Sequence, residues 1–257
     1  MAIYFASDFH LGVDARVSSE ERERQIVRWL KQSAQDADAF YLVGDLFEFW
    51  FEWSRVVPRG YVRFFGALSE IADSGIPIYV FTGNHDMWMR DYLIDQVGVQ
   101  EIYRKPQRIQ LQGREILLAH GDGLGPGDKG YKRLKKVINA PWASWFYARL
   151  HPNMAMKLAY FFSGKSRSAQ PPEVDFLGPE KEWLVAYSER KLVQEPEIDY
   201  CIFGHRHLPI DYTLSNGKSR YLNLGEWLHY NSYVRMEKGE AELLFFEREG
   251  MKAANLL

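Results

Sequence analysis

Five short loops of this chain carry side chains able to bind metal ions: Asp8-Phe9-His10, Gly44-Asp45, Gly83-Asn84-His85-Asp86, His120-Gly121-Asp122 and Gly204-His205-Arg206-His207. Five of the seven histidines fall in them. Taken singly, each is weak, since a lone Asp-x-His arises by coincidence and a buried histidine is more often hydrogen-bonded than ligated. As an ordered set they point to one site. Residues two apart on an extended chain project the same way, so Asp8 and His10 pair, as do His205 and His207. Asp45, an anion with two oxygens behind a small glycine, suits a bridge between two cations. Asn84 adds a neutral oxygen that limits the negative charge facing a phosphate, and His120 adds an imidazole. Oxygen and imidazole donors without thiolate suit two divalent cations such as Mn²⁺ better than Ca²⁺ or a thiolate zinc site. Such a pair can hold a phosphoryl oxygen and activate water, which is phosphoesterase chemistry.

Each loop follows a run suited to a buried strand: Ala2–Ser7, Phe40–Val43, Pro77–Phe81, Glu115–Ala119 and Tyr200–Phe203. Chemistry in α/β folds gathers at the carboxyl ends of strands, so five such loops can converge. Ser19–Ala34 and Tyr61–Ser74 show helical periodicity. The first is capped by Ser18 with Glu21, and Gly75 closes the second. The first 100 residues therefore read as βαβ units, with a short helix at Leu93–Val97. Ile109–Leu111 and Ile116–Leu118 flank Gln112-Gly113-Arg114 as a hairpin. Tyr131–Phe162 reads as two helices, Pro141 opening the second and Pro152 breaking it. Pro179–Gln194 reads as one helix with proline at its first position. Ile210–Leu214, Ser219–Leu224, Ser232–Met236 and Ala241–Phe246, separated by turns such as Asn216-Gly217 and Lys238-Gly239, predict an antiparallel meander. The expectation is a single domain over 1–257, β-rich with flanking helices and a helical lid inserted at about 125–170.

Composition narrows the class. Hydrophobic residues make up 46% and charged residues 26%, a balance that supports a large core. No apolar stretch approaches the ~20 residues that span a bilayer. Cys201 is the one cysteine, so no intrachain disulfide forms and a reducing cytosol is expected. The net charge of −2 conceals a one-sided segment: residues 129–172 hold nine Lys/Arg and no Asp or Glu, leaving −11 for the remainder. Trp142, Trp145, Phe146, Tyr147, Tyr160, Phe161 and Phe162 share that segment. Basic and aromatic together suit an anionic, partly apolar partner such as a membrane surface, an anionic lipid or a nucleotide. The plainer alternative is a solvated basic helix pair whose aromatics pack on the core.

The ordered set resembles the calcineurin-like metallophosphoesterase superfamily, whose signature D-x-H, G-D, G-N-H-[DE], His-Gly and G-H-x-H is intact here. That resemblance implies a four-layer α/β-β/α sandwich. It also implies one cation on Asp8, His10, Asp45 and His207, and a second on Asp45, Asn84, His120 and His205. Further text, from Gly44-Asp45-Leu46-Phe47-Glu48-Phe49-Trp50 through Asp128-x-Gly130-Tyr131 and the basic insertion to Leu224-Gly225-Glu226-Trp227, looks like UDP-2,3-diacylglucosamine pyrophosphohydrolases. These act in lipid A biosynthesis at the cytoplasmic face of the inner membrane. The resemblance implies hydrolysis to UMP and 2,3-diacylglucosamine 1-phosphate, with peripheral membrane association and an acyl-chain lid. One position departs: His85 stands where the best-known members carry Arg. His85 is placed to protonate the leaving oxygen or contact a phosphoryl oxygen, or else to orient Asp45. Asn84, His85, Asp128, Ser163, Lys165, Ser166, Arg167 and His205 are candidates for substrate contact. Neither nucleic acid nor a protein partner is implied. The alternatives are a broader phosphodiesterase or phosphatase acting on nucleotides, and a non-catalytic scaffold, which would tolerate loss of ligands that are all present.

Overall fold

The computed structural model describes residues 1–125, 129–168, 175–176, 178–248 and 253. Two mixed sheets pack face to face. The first has β1 (Ala2–Ala6), β2 (Ala37–Val43), β3 (Ile78–Phe81) and β4 (Glu101–Tyr103) in parallel, with β10 (Ser232–Glu237) and β11 (Glu240–Phe245) antiparallel beyond β1. In the second, β6 (Arg114–Ala119), β7 (Tyr200–Phe203) and β9 (Arg220–Leu224) run parallel between the antiparallel edges β5 (Gln107–Leu111) and β8 (Pro209–Thr213).

Strand alternation sets the layers. Ile3 and Phe5 of β1 and Tyr41 and Val43 of β2 join Ile116, Leu118, Ile202 and Leu222 in the core between the sheets. The opposite residues, Tyr4, Ala6, Phe40 and Leu42, pack on α1 (Ser19–Ser33) and α2 (Val62–Asp73) through Trp29, Leu30, Phe64 and Leu68. Leu117, Ala119, Cys201 and Phe203 meet Leu184, Val185 and Leu192 on the outer face of the second sheet. Both faces of the central strands are thus covered, which is why those strands read as unbroken apolar runs. The result is the four-layer sandwich anticipated from the motifs. Ser18 caps α1 by accepting from the Glu21 N–H, and the Gln112-Gly113 turn has positive φ at both positions, as a type I′ hairpin requires.

Three expectations are corrected. Residues 129–168 form three helices, α3 (Lys129–Ile138), α4 (Pro141–Tyr147) and α5 (Pro152–Ser168). Pro152 starts the third helix because the first turn needs no N–H from it. Pro179–Lys181 is a separate 3₁₀ turn, and α6 (Trp183–Gln194) begins only after an extended Glu182. There the Glu182 carboxylate is drawn to the Arg206 guanidinium at 3.0 Å. Finally, the last four strands are not one meander. β8 and β9 belong to the second sheet, while β10 and β11 add to β1 of the first. Strand β4, three residues long, was not anticipated, being too short to show a period.

Candidate metal centre

Because β1, β2 and β3 are parallel, as are β6 and β7, all five motif loops leave the same edge of the sandwich. Backbone bonds then stitch them together. The N–H groups of Asp8 and His10 donate to Gly44 O and Asp45 O, both at 3.0 Å, and that of Gly204 donates to His120 O at 2.9 Å. The His205 N–H donates to Asp8 Oδ2 at 3.0 Å, which ties the loop of one sheet to a carboxylate of the other.

Expecting an extended Asp-x-His and His-x-His was wrong in detail. Asp8, His10, Asp45, His205 and His207 all sit at positive φ between 45° and 65°. Non-glycine residues there cost of order 1–3 kcal/mol each and persist where surrounding structure over-determines them, often at functional sites. The turned backbone also separates His205 from His207, sending them to different clusters. Asp8, His10, Asp45 and His207 form one group whose ligating atoms lie within 4.8 Å of one another, and Asp45, His120 and His205 form a second. Asn84 Oδ1 lies 3.2 Å from His120 Nε2, adjoining the second group. Asp45 is the shared member. Close packing requires the glycines: a Cβ on Gly44 would stand 2.6 Å from His120 Nδ1, and one on Gly204 would stand 2.6 Å from Asp8 Oδ2.

The donors fit divalent cations. Asp8 Oδ1 and Asp45 Oδ2 are buried without a hydrogen-bond donor. His207 Nε2 lies 3.1 Å from the first and His120 Nε2 3.2 Å from the second. Nδ1 of His120 donates to Val43 O at 2.8 Å and Nδ1 of His10 to Glu48 Oε2 at 3.1 Å, which frees both Nε2 atoms as ligands. His10 Nε2 and His207 Nε2 face each other at 3.3 Å, a contact between two acceptors that calls for a proton or a cation.

Charges follow from burial and neighbours. Burial disfavours the His10 cation, but Asp8, Glu48 and Asp45 outweigh it and raise the pKa to about 10. His205, buried and beside His120, is pushed down to about 4 and stays a neutral imidazole. Burial opposes ionisation of Asp45, yet His120, His85 and His10 hold it below the usual carboxylate range. Asp86, buried and next to Asp45, is pushed up to about 7. Its oxygens accept the Gly83 and Leu46 N–H groups, fixing the loop that carries Asn84.

His85 lies beside this centre. Its ring is 4.9 Å from that of His10, its Nδ1 donates to Glu48 O at 2.9 Å, and its backbone N–H donates to Asp45 Oδ1 at 2.8 Å. The orienting contact with Asp45 is thus made by backbone, and the ring's Nε2 remains available. Ser163 on α5 donates to Glu48 Oε1. Asp128 lies outside the described residues, as do the side chains of Lys165, Ser166 and Arg167, whose backbone belongs to α5. Motif reading included Glu48 and Asp122 in its segments but gave neither a role. Both are buried and each touches a helix of the insertion: Glu48 takes Ser163, and Asp122 takes the Tyr131 hydroxyl and Lys135. Their one visible signal was a carboxylate within three residues of a ligand.

Most aromatics of residues 129–168 do not pack on the core. Tyr147 packs against Phe49, Phe51 and Trp88, but Trp142, Phe146, Phe161 and Phe162 are 57%, 62%, 64% and 60% exposed. An outward apolar patch of this kind marks an interaction surface. No helix among the described residues is long and apolar enough to cross a membrane.

Two joined clusters of oxygen and imidazole donors, at the strand ends of a four-layer sandwich, define a metal-dependent hydrolase of phosphate esters or anhydrides. A family model for calcineurin-like phosphoesterases matches residues 1–209. The UDP-2,3-diacylglucosamine hydrolase of Porphyromonas gingivalis is 38% identical over 244 residues, covering 90% of this chain and 92% of its own. The enzyme of that name from Klebsiella pneumoniae is 28% identical over 249 residues, covering 96% and 99%. Among solved structures, an archaeal phosphodiesterase aligns over 95% of this chain and 99% of its own, with a TM-score of 0.47 and 12% identity. The chain belongs to the calcineurin-like phosphoesterases and, within them, to the family of the UDP-2,3-diacylglucosamine hydrolases.

Proposed function

We propose that this protein hydrolyses the pyrophosphate of UDP-2,3-diacylglucosamine to UMP and 2,3-diacylglucosamine 1-phosphate. The observation that carries the reading is the pair of clusters sharing Asp45, beneath an insertion that is basic and outwardly apolar. Asp8, His10, Asp45 and His207 would hold one cation, and Asp45, Asn84, His120 and His205 the other, with Mn²⁺ suited to the mixed donors. Such ions supply Lewis acidity toward phosphoryl oxygens and activation of water.

The chain's own groups do the rest. His85, with Nδ1–H given to Glu48 O, can in its protonated form donate Nε2–H to the leaving oxygen. Asp86 and the backbone it caps hold Asn84 and His85 at the substrate. The exposed aromatics and nearby lysines and arginines of residues 129–168 meet acyl chains and an anionic membrane surface, giving peripheral attachment.

Incubation of purified protein and Mn²⁺ with UDP-2,3-diacylglucosamine and with unacylated UDP-sugar, followed by product analysis, tests this. UMP from the acylated substrate at a much higher rate is the expected result. Equal rates would overturn the lipid reading in favour of a general phosphodiesterase.

A further inference from the structure

A cleft of about 350 Å³ opens beside the metal centre, between the loop of residues 82–90 and the insertion. Thr82, Trp88, Arg90, Arg104, Lys135 and Asn139 are among its lining residues. Two hydrogen bonds hold its walls: Trp88 Nε1 donates to Ile138 O at 3.2 Å, and Arg90 Nη2 to Ser144 Oγ at 2.8 Å. It is joined to the metal centre on both sides. Gly83, also in the lining, precedes Asn84 and packs directly on Asp45, while Lys135 is paired with Asp122, two residues beyond His120.

The cleft brings two guanidiniums beside the motif loop that carries Gly83. Arg104 gives one N–H to Met89 O at 2.7 Å and Arg90 one to Ser144, yet among the described residues neither guanidinium pairs with a carboxylate. A guanidinium carries five donors, so each retains several for a ligand. Two uncompensated guanidiniums, an indole, a thioether at Met87 and the amide of Asn139 make a site for an anion attached to a planar, hydrogen-bonding ring.

We propose that this cleft receives the nucleotide half of the substrate, with Arg90 and Arg104 on phosphate oxygens and Trp88, Met87 and Asn139 against the nucleoside. The inference rests on the pyrophosphatase reading and adds where one of the two substrate arms lies. The apolar acyl arm is thereby directed elsewhere, since a cleft lined by three cationic side chains does not favour it.

UMP is the probe, used as an inhibitor of the full-length protein with Mn²⁺ present. Turnover is read on both UDP-2,3-diacylglucosamine and bis(p-nitrophenyl) phosphate. Arg90→Ala and Arg104→Gln should each raise the UMP inhibition constant by about tenfold or more, the usual loss for a hydrogen bond to a charged group. KM for the nucleotide-linked substrate should rise by a similar factor, well beyond any change on bis(p-nitrophenyl) phosphate. Asn139→Ala approaches from the insertion side, without disturbing the Met89 or Ser144 contacts, and should also weaken UMP. UMP inhibition unchanged in all three variants would overturn the proposal, as would equal losses on both substrates. If the acylated substrate is not hydrolysed but UMP inhibition still depends on the arginines, the lipid reading falls and the cleft stands.

Discussion

Glu48 lies between a metal-ligand candidate and the helical insertion: its Oε2 takes the His10 Nδ1 proton at 3.1 Å, and its Oε1 takes the Ser163 hydroxyl from α5. Burial raises the cost of its charge, but His10 and His85 outweigh this and hold its pKa at about 2. Carboxylates that orient ligating imidazoles are worth about 10–100-fold in metal affinity. Glu48→Ala is therefore expected to weaken Mn²⁺ binding by that factor. Ser163→Ala, which keeps the His10 contact, should have a much smaller effect. Mn²⁺ titration followed by electron paramagnetic resonance measures both, and equal losses would show that the carboxylate does not act through His10.

Asp45 and His85 should separate metal binding from turnover. Asp45→Ala removes a carboxylate common to both clusters, so activity should vanish and elemental analysis should find at most one cation per chain. His85→Ala should keep its metals yet lose about 10²–10⁴-fold in turnover, the range for a positioned proton donor. Two tightly bound cations in Asp45→Ala would refute the sharing.

Proton competition sets a pH dependence. In cation-stripped protein the His10 pKa is raised from 6.5 to about 10. Its contribution to stability is then fully present below pH 6.5 and is lost as pH rises through about 10. Mn²⁺ must displace that proton, so apparent affinity should increase with pH and binding should release protons. Titration calorimetry in two buffers of different ionisation enthalpy measures the release. Affinity that does not vary between about pH 6.5 and about pH 8.5 would contradict the assignment.

Membrane attachment should be electrostatic and apolar together. Each Lys or Arg near an anionic surface contributes about 1 kcal/mol, screened by salt. Sedimentation with anionic vesicles should fall as salt rises, and neutral vesicles should retain little protein. Replacing Trp142, Phe146 and Phe161 by Ser should weaken binding at every salt concentration, because those side chains are more than half exposed. Salt-independent binding would point to a purely apolar contact.

Much of this protein was legible in one dimension. Five apolar runs, each ending in Asp, Asn or His, foretold the strands and the loops that converge, because a strand buried on both faces must be apolar along its whole length. The basic, aromatic segment of residues 129–168 was equally visible as a charge imbalance. Partnerships at long range were not. The left-handed backbone of Asp8, His10, Asp45, His205 and His207 was not visible in residue spacing, and it sends His205 and His207 to different clusters, as the family resemblance implied and the spacing did not. The split of β8–β9 from β10–β11 follows from which edge each hairpin finds free, a choice the hairpin sequences do not encode. Glu48 and Asp122 looked like ordinary acids near a motif. Tertiary packing gave them partners, since a buried carboxylate is decided by the donors that reach it, and those of Glu48 come from His10, 38 residues away, and from Ser163 on α5, 115 residues away.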